Sequence, residues 1–200
     1  MEKTKILVAG DIHGDTGLIK KLAQKAKKQN VDLVIFTGDF TFFHNHPKNL
    51  IGPFAKIKKP VLLIHGNHEN FETSDFLSQL YSNAKNLHGY SFIKNNVGIF
   101  GAGGAIDFNI TEKEMFNTLE KAHKKVKDSK KKIMVTHMHP KGSKSEFSGF
   151  EGSAAVRKAI KEFKPDLHIH CHIHEAEGVE EKIGKTKVMN IGRRGRILEV

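Results

Sequence analysis

Five apolar segments of this chain end in the same way, and that recurrence limits what it can fold into. "KILVAG" (5–10) runs into Asp11, with His13 two residues further on. "VDLVIFTG" (31–38) runs into Asp39, and "VLLIHG" (61–66) into Asn67 and His68. "KKIMVTH" (131–137) closes on His137. "DLHIH" (166–170) continues into His172 and His174, so imidazoles occupy every second position from His168. Short apolar runs bounded by glycine and polar residues read as buried strands. In α/β sheets, ligands bind beyond the carboxyl ends of the strands. If these five strands are neighbours, side chains able to hold a metal or move a proton meet on one rim.

The segments between them supply helices. "TGLIKKLAQKAKKQN" (16–30) carries Leu18, Leu22 and Ala26 on one stripe. A region with Pro47 and Pro53 includes a helix near 48–57, and residues 74–83 read as another. The period then changes. "YSFIKNNVGIFGAGG" has two apolar halves around Asn95-Asn96, a hairpin signal. "TEKEMFNTLEKAHKKV" (111–126) opens with the capping-box pair Thr111 and Glu114 and places Met115, Leu119, Ala122 and Val126 on one face. "SAAVRKAIKEF" is a helix capped by Ser153 and stopped before Pro165. The tail reads as two or three antiparallel strands with turns at Gly184-Lys185 and Arg194-Gly195. The expected class is mixed α/β, with parallel βα units first and antiparallel hairpins later. With 200 residues and neither repeat nor linker, one domain over 1–200 is expected.

Composition excludes several classes. Hydrophobic residues make up 38% and no segment is low in complexity, so disorder is excluded. "MEKTKILVAGD" is no signal peptide, and no apolar stretch nears the ~20 residues needed to span a bilayer. A cytoplasmic protein without membrane contact is expected. Cys171 is the single cysteine, so no internal disulfide forms. The net charge of +11 raises nucleic acid as a partner. Arginine, however, appears only as Arg157, Arg193, Arg194 and Arg196, and the lysines fall in helix-like stretches where solvated faces account for them.

The polar set has its own chemistry. Carboxylate oxygen, amide oxygen and imidazole nitrogen suit manganese, iron, zinc, cobalt or nickel rather than calcium. Spacing by two along extended chain puts Asp11 with His13, and His172 with His174, on the same side. Seven donors exceed one tetrahedral ion and fit two divalent ions sharing a carboxylate, roughly 3.5–4 Å apart. With Asp11 and Asp39 as the anionic donors, such a site is net positive, which favours a phosphate.

"GDIHGD", "GDF", "GNHE", "TH" and "HIH" stand in the order and rough spacing of the calcineurin-like metallophosphoesterases, and the chain resembles their short, single-domain phosphodiesterase branch over its whole length. The resemblance implies a two-sheet mixed β-sandwich flanked by helices, a four-layer α/β/β/α fold. It assigns one metal to Asp11, His13, Asp39 and His174, and the other to Asp39, Asn67, His137 and His172, with Asp39 as the bridge. Manganese is the first expectation, with iron, zinc, nickel or cobalt as alternatives. It implies a phosphate-ester hydrolase, diesters before monoesters, in which a bridging hydroxide attacks phosphorus in line and His68 assists the leaving group. A non-catalytic scaffold and a nuclease are the rival readings. Retention of His68 with all seven ligands weighs against the scaffold.

Other residues carry weaker expectations. Cys171 replaces the glycine of the family's Gly-His-x-His; it keeps the turn if φ is negative there, or adds a soft donor. His168, His170 and His65 read as hydrogen-bonded core histidines, and His88 and His123 as surface residues. Gly14 and Asp15 are expected to shape the first loop. His139 is a candidate for touching a substrate phosphate. "GAGGAIDF" (101–108) is a turn before it is a phosphate cradle. "MNIGR" resembles the family's Asn-Pro-Gly-Ser, with Ile191 and Arg193 as replacements. The phenylalanines of "FTFFHNHPKN", which also holds His44 and His46, are either core or the floor of a substrate pocket.

Overall fold

The computed structural model describes residues 3–43 and 48–200; the expectations for His44, His46 and Pro47 lie outside them. The described strands form two sheets. In the first, β1 (Lys5–Ala9), β2 (Leu33–Phe36), β3 (Val61–Leu63) and β4 (Ala84–Asn86) run parallel, with β11 (Arg196–Glu199) antiparallel beside β1. In the second, β6 (Val97–Ala102), β7 (Lys131–Thr136), β8 (Leu167–His170) and β10 (Thr186–Asn190) run parallel. The antiparallel strands β5 (Ser91–Lys94) and β9 (Glu180–Ile183) close its edges.

Strand parity builds four layers from these sheets, because successive side chains point to opposite faces. Ile6, Val8, Leu33, Ile35 and Leu62 of the first sheet meet Ile99, Ile133, Val135, Leu167 and Ile169 of the second. The alternate residues Leu7, Ala9, Val34, Phe36 and Leu63 face outward against Ile19, Leu22 and Ala26 of α1 (Thr16–Lys28) and Phe54 of α2 (Gly52–Lys56). On the far side, Phe100, Met134 and Val188 pack against Met115 and Leu119 of α4 (Glu112–His123) and Val156 and Ile160 of α5 (Ala154–Phe163). Strands covered on both faces must be apolar throughout, which is why their sequences show runs and not alternation. The expected two-sheet, helix-flanked α/β fold is the observed one. Among the described residues, no helix is long and apolar enough to cross a membrane.

Local chemistry sets the ends. Asn95 and Asn96 both adopt left-handed backbone (φ 48° and 62°), the requirement of a tight hairpin turn, and join β5 to β6. Thr111 and Glu114 form the expected capping box, and the Ser153 side chain accepts from the Val156 amide. Two readings need correction. Helix α3 (Phe71–Leu80) starts before residue 74 because Asn70 caps it, its side chain accepting from the Thr73 amide. The tail is not one antiparallel unit: β10 pairs parallel with β8 and antiparallel with β9, whereas β11 crosses to the other sheet and pairs with β1.

Candidate metal centre

The carboxyl ends of β1, β2, β3, β7 and β8 open on one rim, and all seven expected donors meet there. Asn67 Oδ1, His137 Nε2 and His172 Nδ1 form a triangle with sides of 2.9, 3.0 and 3.1 Å. Asp39 Oδ2 lies 3.5 Å from His137 Nε2 and 3.9 Å from His13 Nε2, on the boundary between two groups. In the second group, His13 Nε2 is 3.0 Å from His174 Nε2, which is 3.9 Å from Asp11 Oδ1. His68 Nε2 is 3.8 Å from Asp39 Oδ2.

The residues converge by a route that extended spacing does not describe. Asp11, His13, Asp39 and His172 have φ of 52°, 47°, 52° and 76°, all left-handed. Such backbone is uncommon for non-glycine residues and clusters at functional sites. The strands stop and the chain folds back within one or two residues, so the side chains aim across the sheet ends. Parity along β8 puts His168 and His170 on the helix-facing side, opposite Leu167 and Ile169. The turn at His172 then breaks that parity and redirects the imidazoles that follow.

Backbone anchors hold this geometry. The His13 amide donates to the Asp39 carbonyl (2.8 Å), and the Asp11 amide to the Gly38 carbonyl (3.1 Å). The His68 amide donates to Asp39 Oδ1 (3.0 Å). Gly66 is required by space: a Cβ there would lie 2.0 Å from Asp39 Oδ1. Asp15 caps α1 by accepting from the Leu18 amide, and Arg193 pairs with it at 3.0 Å. Asn190 is buried and donates to the Ile173 carbonyl, so the "MNIGR" segment braces the last ligand loop.

Donor chemistry tests whether a cation fits. His137 Nδ1 lies 3.0 Å from the Thr37 carbonyl, which can only accept. In the neutral ring the proton therefore sits on Nδ1, and Nε2 turns a lone pair toward the Asn67 oxygen. Acceptor faces acceptor at 2.9 Å, a repulsive contact that a cation between them relieves. Donor separations near 3.0 Å also match the edge of an octahedron with bonds of about 2.1 Å. Asp11 Oδ2 is buried without a hydrogen-bond partner. The residues fit divalent ions.

Electrostatics agree. Burial pushes His13 down to about 4 and His172 down to about 3, leaving both neutral and able to ligate at pH 7. Burial also raises Asp39, but His137, the His68 amide and the His68 and His13 rings outweigh it and hold the carboxyl below its usual range. Burial pushes Asp11 up, offset in part by His137.

Among the surrounding residues, His139, His88 and His123 differ from expectation, and the others agree with it. His139 is fully buried and its Nε2 engages the Phe150 carbonyl at 3.1 Å, so it does not face a substrate. His88 is not a surface residue: Gly103 donates to its Nδ1 and His65 lies against it at 4.7 Å. His123 stacks on Phe163 at 4.5 Å and 13°. The "GAGGAIDF" amides are spoken for. Gly103, Gly104, Ala105 and Ile106 donate to His88, the His65 carbonyl, Asn109 and Met138, so the segment is a braced turn and no phosphate cradle. Cys171 has no left-handed backbone, its thiol donates to the Thr37 carbonyl, and it lies 3.2 Å from His137 Nδ1. It thus packs behind the ring, away from the Nε2 that meets Asn67. His168 bonds Thr136 Oγ1 at 2.7 Å within the core.

Two contributors escaped sequence reasoning. Glu69 is buried and accepts from the Gly66 amide (2.9 Å) through one oxygen and from the Thr41 amide and hydroxyl (3.0 Å each) through the other. Burial raises it to about 7. It ties the loop after β2 to the loop after β3. Asn109 donates to the Gly66 and Glu69 carbonyls and fixes the same turn from the other side. Only Glu69's place in "GNHE" hinted at a role.

Comparison with known proteins fits this arrangement. Residues 4–176 match the family described as calcineurin-like phosphoesterase. The chain belongs to that family. Three solved structures share the fold at low sequence identity. A Thermus thermophilus protein, TT1561, is 17% identical, with a TM-score of 0.76 over 96% of this chain and 91% of that one. A dimetal phosphatase from Danio rerio is 13% identical (TM-score 0.70, 96% and 88% covered). An archaeal phosphodiesterase is 17% identical (TM-score 0.58, 98% and 100% covered). At such identities the likeness is one of fold. No curated protein matches the chain.

Proposed function

We propose that this calcineurin-like phosphoesterase is a dinuclear metal-dependent phosphodiesterase, working as one unit over residues 1–200. Asp11, His13, Asp39 and His174 would hold one divalent ion, and Asp39, Asn67, His137 and His172 the other, manganese being the first choice. The observation that carries this is the meeting of Asn67 Oδ1, His137 Nε2 and His172 Nδ1 within 3.1 Å beside the ionised Asp39. Bound ions would supply charge neutralisation at the phosphoryl oxygens and a water acidic enough to act as nucleophile at neutral pH.

The chain's own residues do the rest. Asp39 keeps both halves of the site in register, because its carbonyl and carboxylate are both held by the backbone of other ligand loops. Thr37 fixes the His137 tautomer. His68 stands at the rim with Nε2 toward Asp39 and its ring stacked on Phe42 at 5.0 Å and 24°. From there it can give a proton to a departing ester oxygen. The preference for diesters draws on the resemblance of the strand-end motifs to the phosphodiesterase branch and on the phosphodiesterase among the fold relatives.

The test is hydrolysis of a chromogenic phosphodiester by metal-stripped protein reloaded with Mn²⁺, beside a monoester and a His68→Ala variant. Metal-dependent diester turnover, lowered ~100-fold in a variant that keeps its ions, is expected. Folded protein that holds its ions yet turns over neither ester with any divalent metal would refute the reading.

A further inference from the structure

The mechanism leaves unused the two aromatic rings that stand over its rim. Phe42 and Phe43 are 47% and 54% exposed, although Phe40, two residues earlier, is 2% exposed in the core. Phe42 stacks on His68 and meets His13 edge-on at 5.6 Å. Phe43 lies 4.1 Å from His68 and 5.3 Å from Phe42, the two phenyl rings at 73°. The four rings form a continuous aromatic corner whose inner wall is one expected ligand and the expected proton donor.

This corner is built, not a loose end. Thr41, its neighbour, is held by two hydrogen bonds to Glu69, and the Phe40 carbonyl accepts from the Gly14 amide. Phe43 sits at φ +46°, a conformation bulky residues avoid and one found where surroundings impose it for function. Exposed contiguous apolar surface gives nothing to folding and marks interaction sites. We propose that Phe42 and Phe43 seat a flat aromatic substituent, an aryl group or a nucleobase, carried on the ester side of the substrate phosphate that faces His68. The proposal rests on the phosphate-centre reading above. Ring faces and edges set at 73° match a planar group better than an alkyl chain, since aromatic pairs gain from stacked and edge-on contact beyond buried area.

Equilibrium binding to Mn²⁺-loaded protein tests this without turnover. Four ligands form two pairs, phenylphosphonate against methylphosphonate and adenosine monophosphate against ribose 5-phosphate, with inorganic phosphate measured alongside. The native protein is expected to favour the aromatic member of at least one pair about tenfold. Preference in the first pair alone names a small aryl group, and in the second alone a nucleobase. The double variant Phe42→Ala/Phe43→Ala should shrink the ratio to about twofold with phosphate affinity unchanged; both rings are half exposed, so its fold is expected to hold. Phe76→Ala, which removes a still more exposed phenyl (61%) from α3, should leave the ratio intact. Ratios near one in the native protein, or a preference that survives the double variant, overturn the proposal. Folded, metal-loaded protein that does not bind inorganic phosphate overturns the phosphate centre itself, and the aromatic seat with it.

Discussion

A single methyl group at position 66 tests the geometry of the centre. Gly66 lies outside the left-handed region, so alanine is admissible there in backbone terms. What it lacks is room. A Cβ would stand 2.0 Å from Asp39 Oδ1, 2.7 Å from its Cγ and 2.6 Å from its backbone nitrogen. Rotating the carboxylate relieves only the first contacts, so the backbone of Asp39 must also retreat, opening the gap by about 1 Å to reach ordinary separation. Asp39 Oδ2 lies 3.9, 3.8 and 3.5 Å from the Nε2 atoms of His13, His68 and His137, and a ~1 Å misplacement of such a group costs on the order of 100-fold in rate. Overpacking should lower stability by about 1–3 kcal/mol, leaving a folded protein. Gly184→Ala is the control: φ there is +62° with no neighbour in reach, so it carries only backbone strain, about 1 kcal/mol. Metal content after equilibration with Mn²⁺, diester turnover and urea midpoints are the readouts. Gly66→Ala is expected to lose metal and activity together, and Gly184→Ala neither. A folded Gly66→Ala variant with two tightly held ions and near-native turnover would refute the claim that Asp39 works in a fixed position.

Other outcomes follow from the same structure. Glu69→Gln leaves either the Gly66 or the Thr41 amide facing an NH2 group, and should cost about 1–3 kcal/mol by urea titration, with activity falling as the two loops loosen. Glu112→Ala removes three bonds, from the Ser153 hydroxyl and the Ala154 and Ala155 amides, that tie α4 to the start of α5; about 2 kcal/mol should be lost while diester KM stays native. Burial holds His88 near 4 and His65 and His170 near 3, all below the unfolded value of 6.5. The unfolded chain therefore takes up protons first, so stability of the metal-free protein is greatest above pH 6.5 and declines as pH falls from there toward 4. Glu69, raised to about 7, and Asp11, also raised by burial, act in the opposite sense but are outnumbered by the lowered histidines. A urea midpoint that does not fall between pH 7 and pH 5 would contradict this.

How much of this was legible in the sequence depends on what kind of signal each feature leaves. Strands buried on both faces announce themselves as apolar runs, so β1, β2, β3, β7 and β8 and the polar residues that end them could be read directly. β4 could not: Ala84–Asn86 has neither run nor alternation and exists because its backbone completes the edge beside β3. The crossing of β11 to the first sheet is a long-range pairing that local turn signals at Gly184 and Gly195 do not encode. His88 and His123 read as surface residues; their partial burial comes from rings contributed by His65 and Phe163, distant in the chain. The functional assignment of "GAGGAIDF" turned on which acceptors its amides find, and those acceptors lie on three other segments.

The expected donors do meet, but by a route that the spacing argument did not contain. Two-residue spacing suggested that extended chain keeps Asp11 with His13 and His172 with His174. The chain is left-handed at three of these four positions, and each such L-residue costs on the order of 1–2 kcal/mol. That strain is tolerable because what precedes it is rigid: each ligand turn hangs from a strand packed on both faces, and adjoining loops fix its amides. A softer scaffold would let Asp11 or Asp39 relax to ordinary backbone and swing its carboxylate off the rim. The apolar runs and the polar side chains that end them are thus one device. The four-layer packing makes the strained turns affordable, and the strained turns aim atoms from five strands and two sheets at a common point.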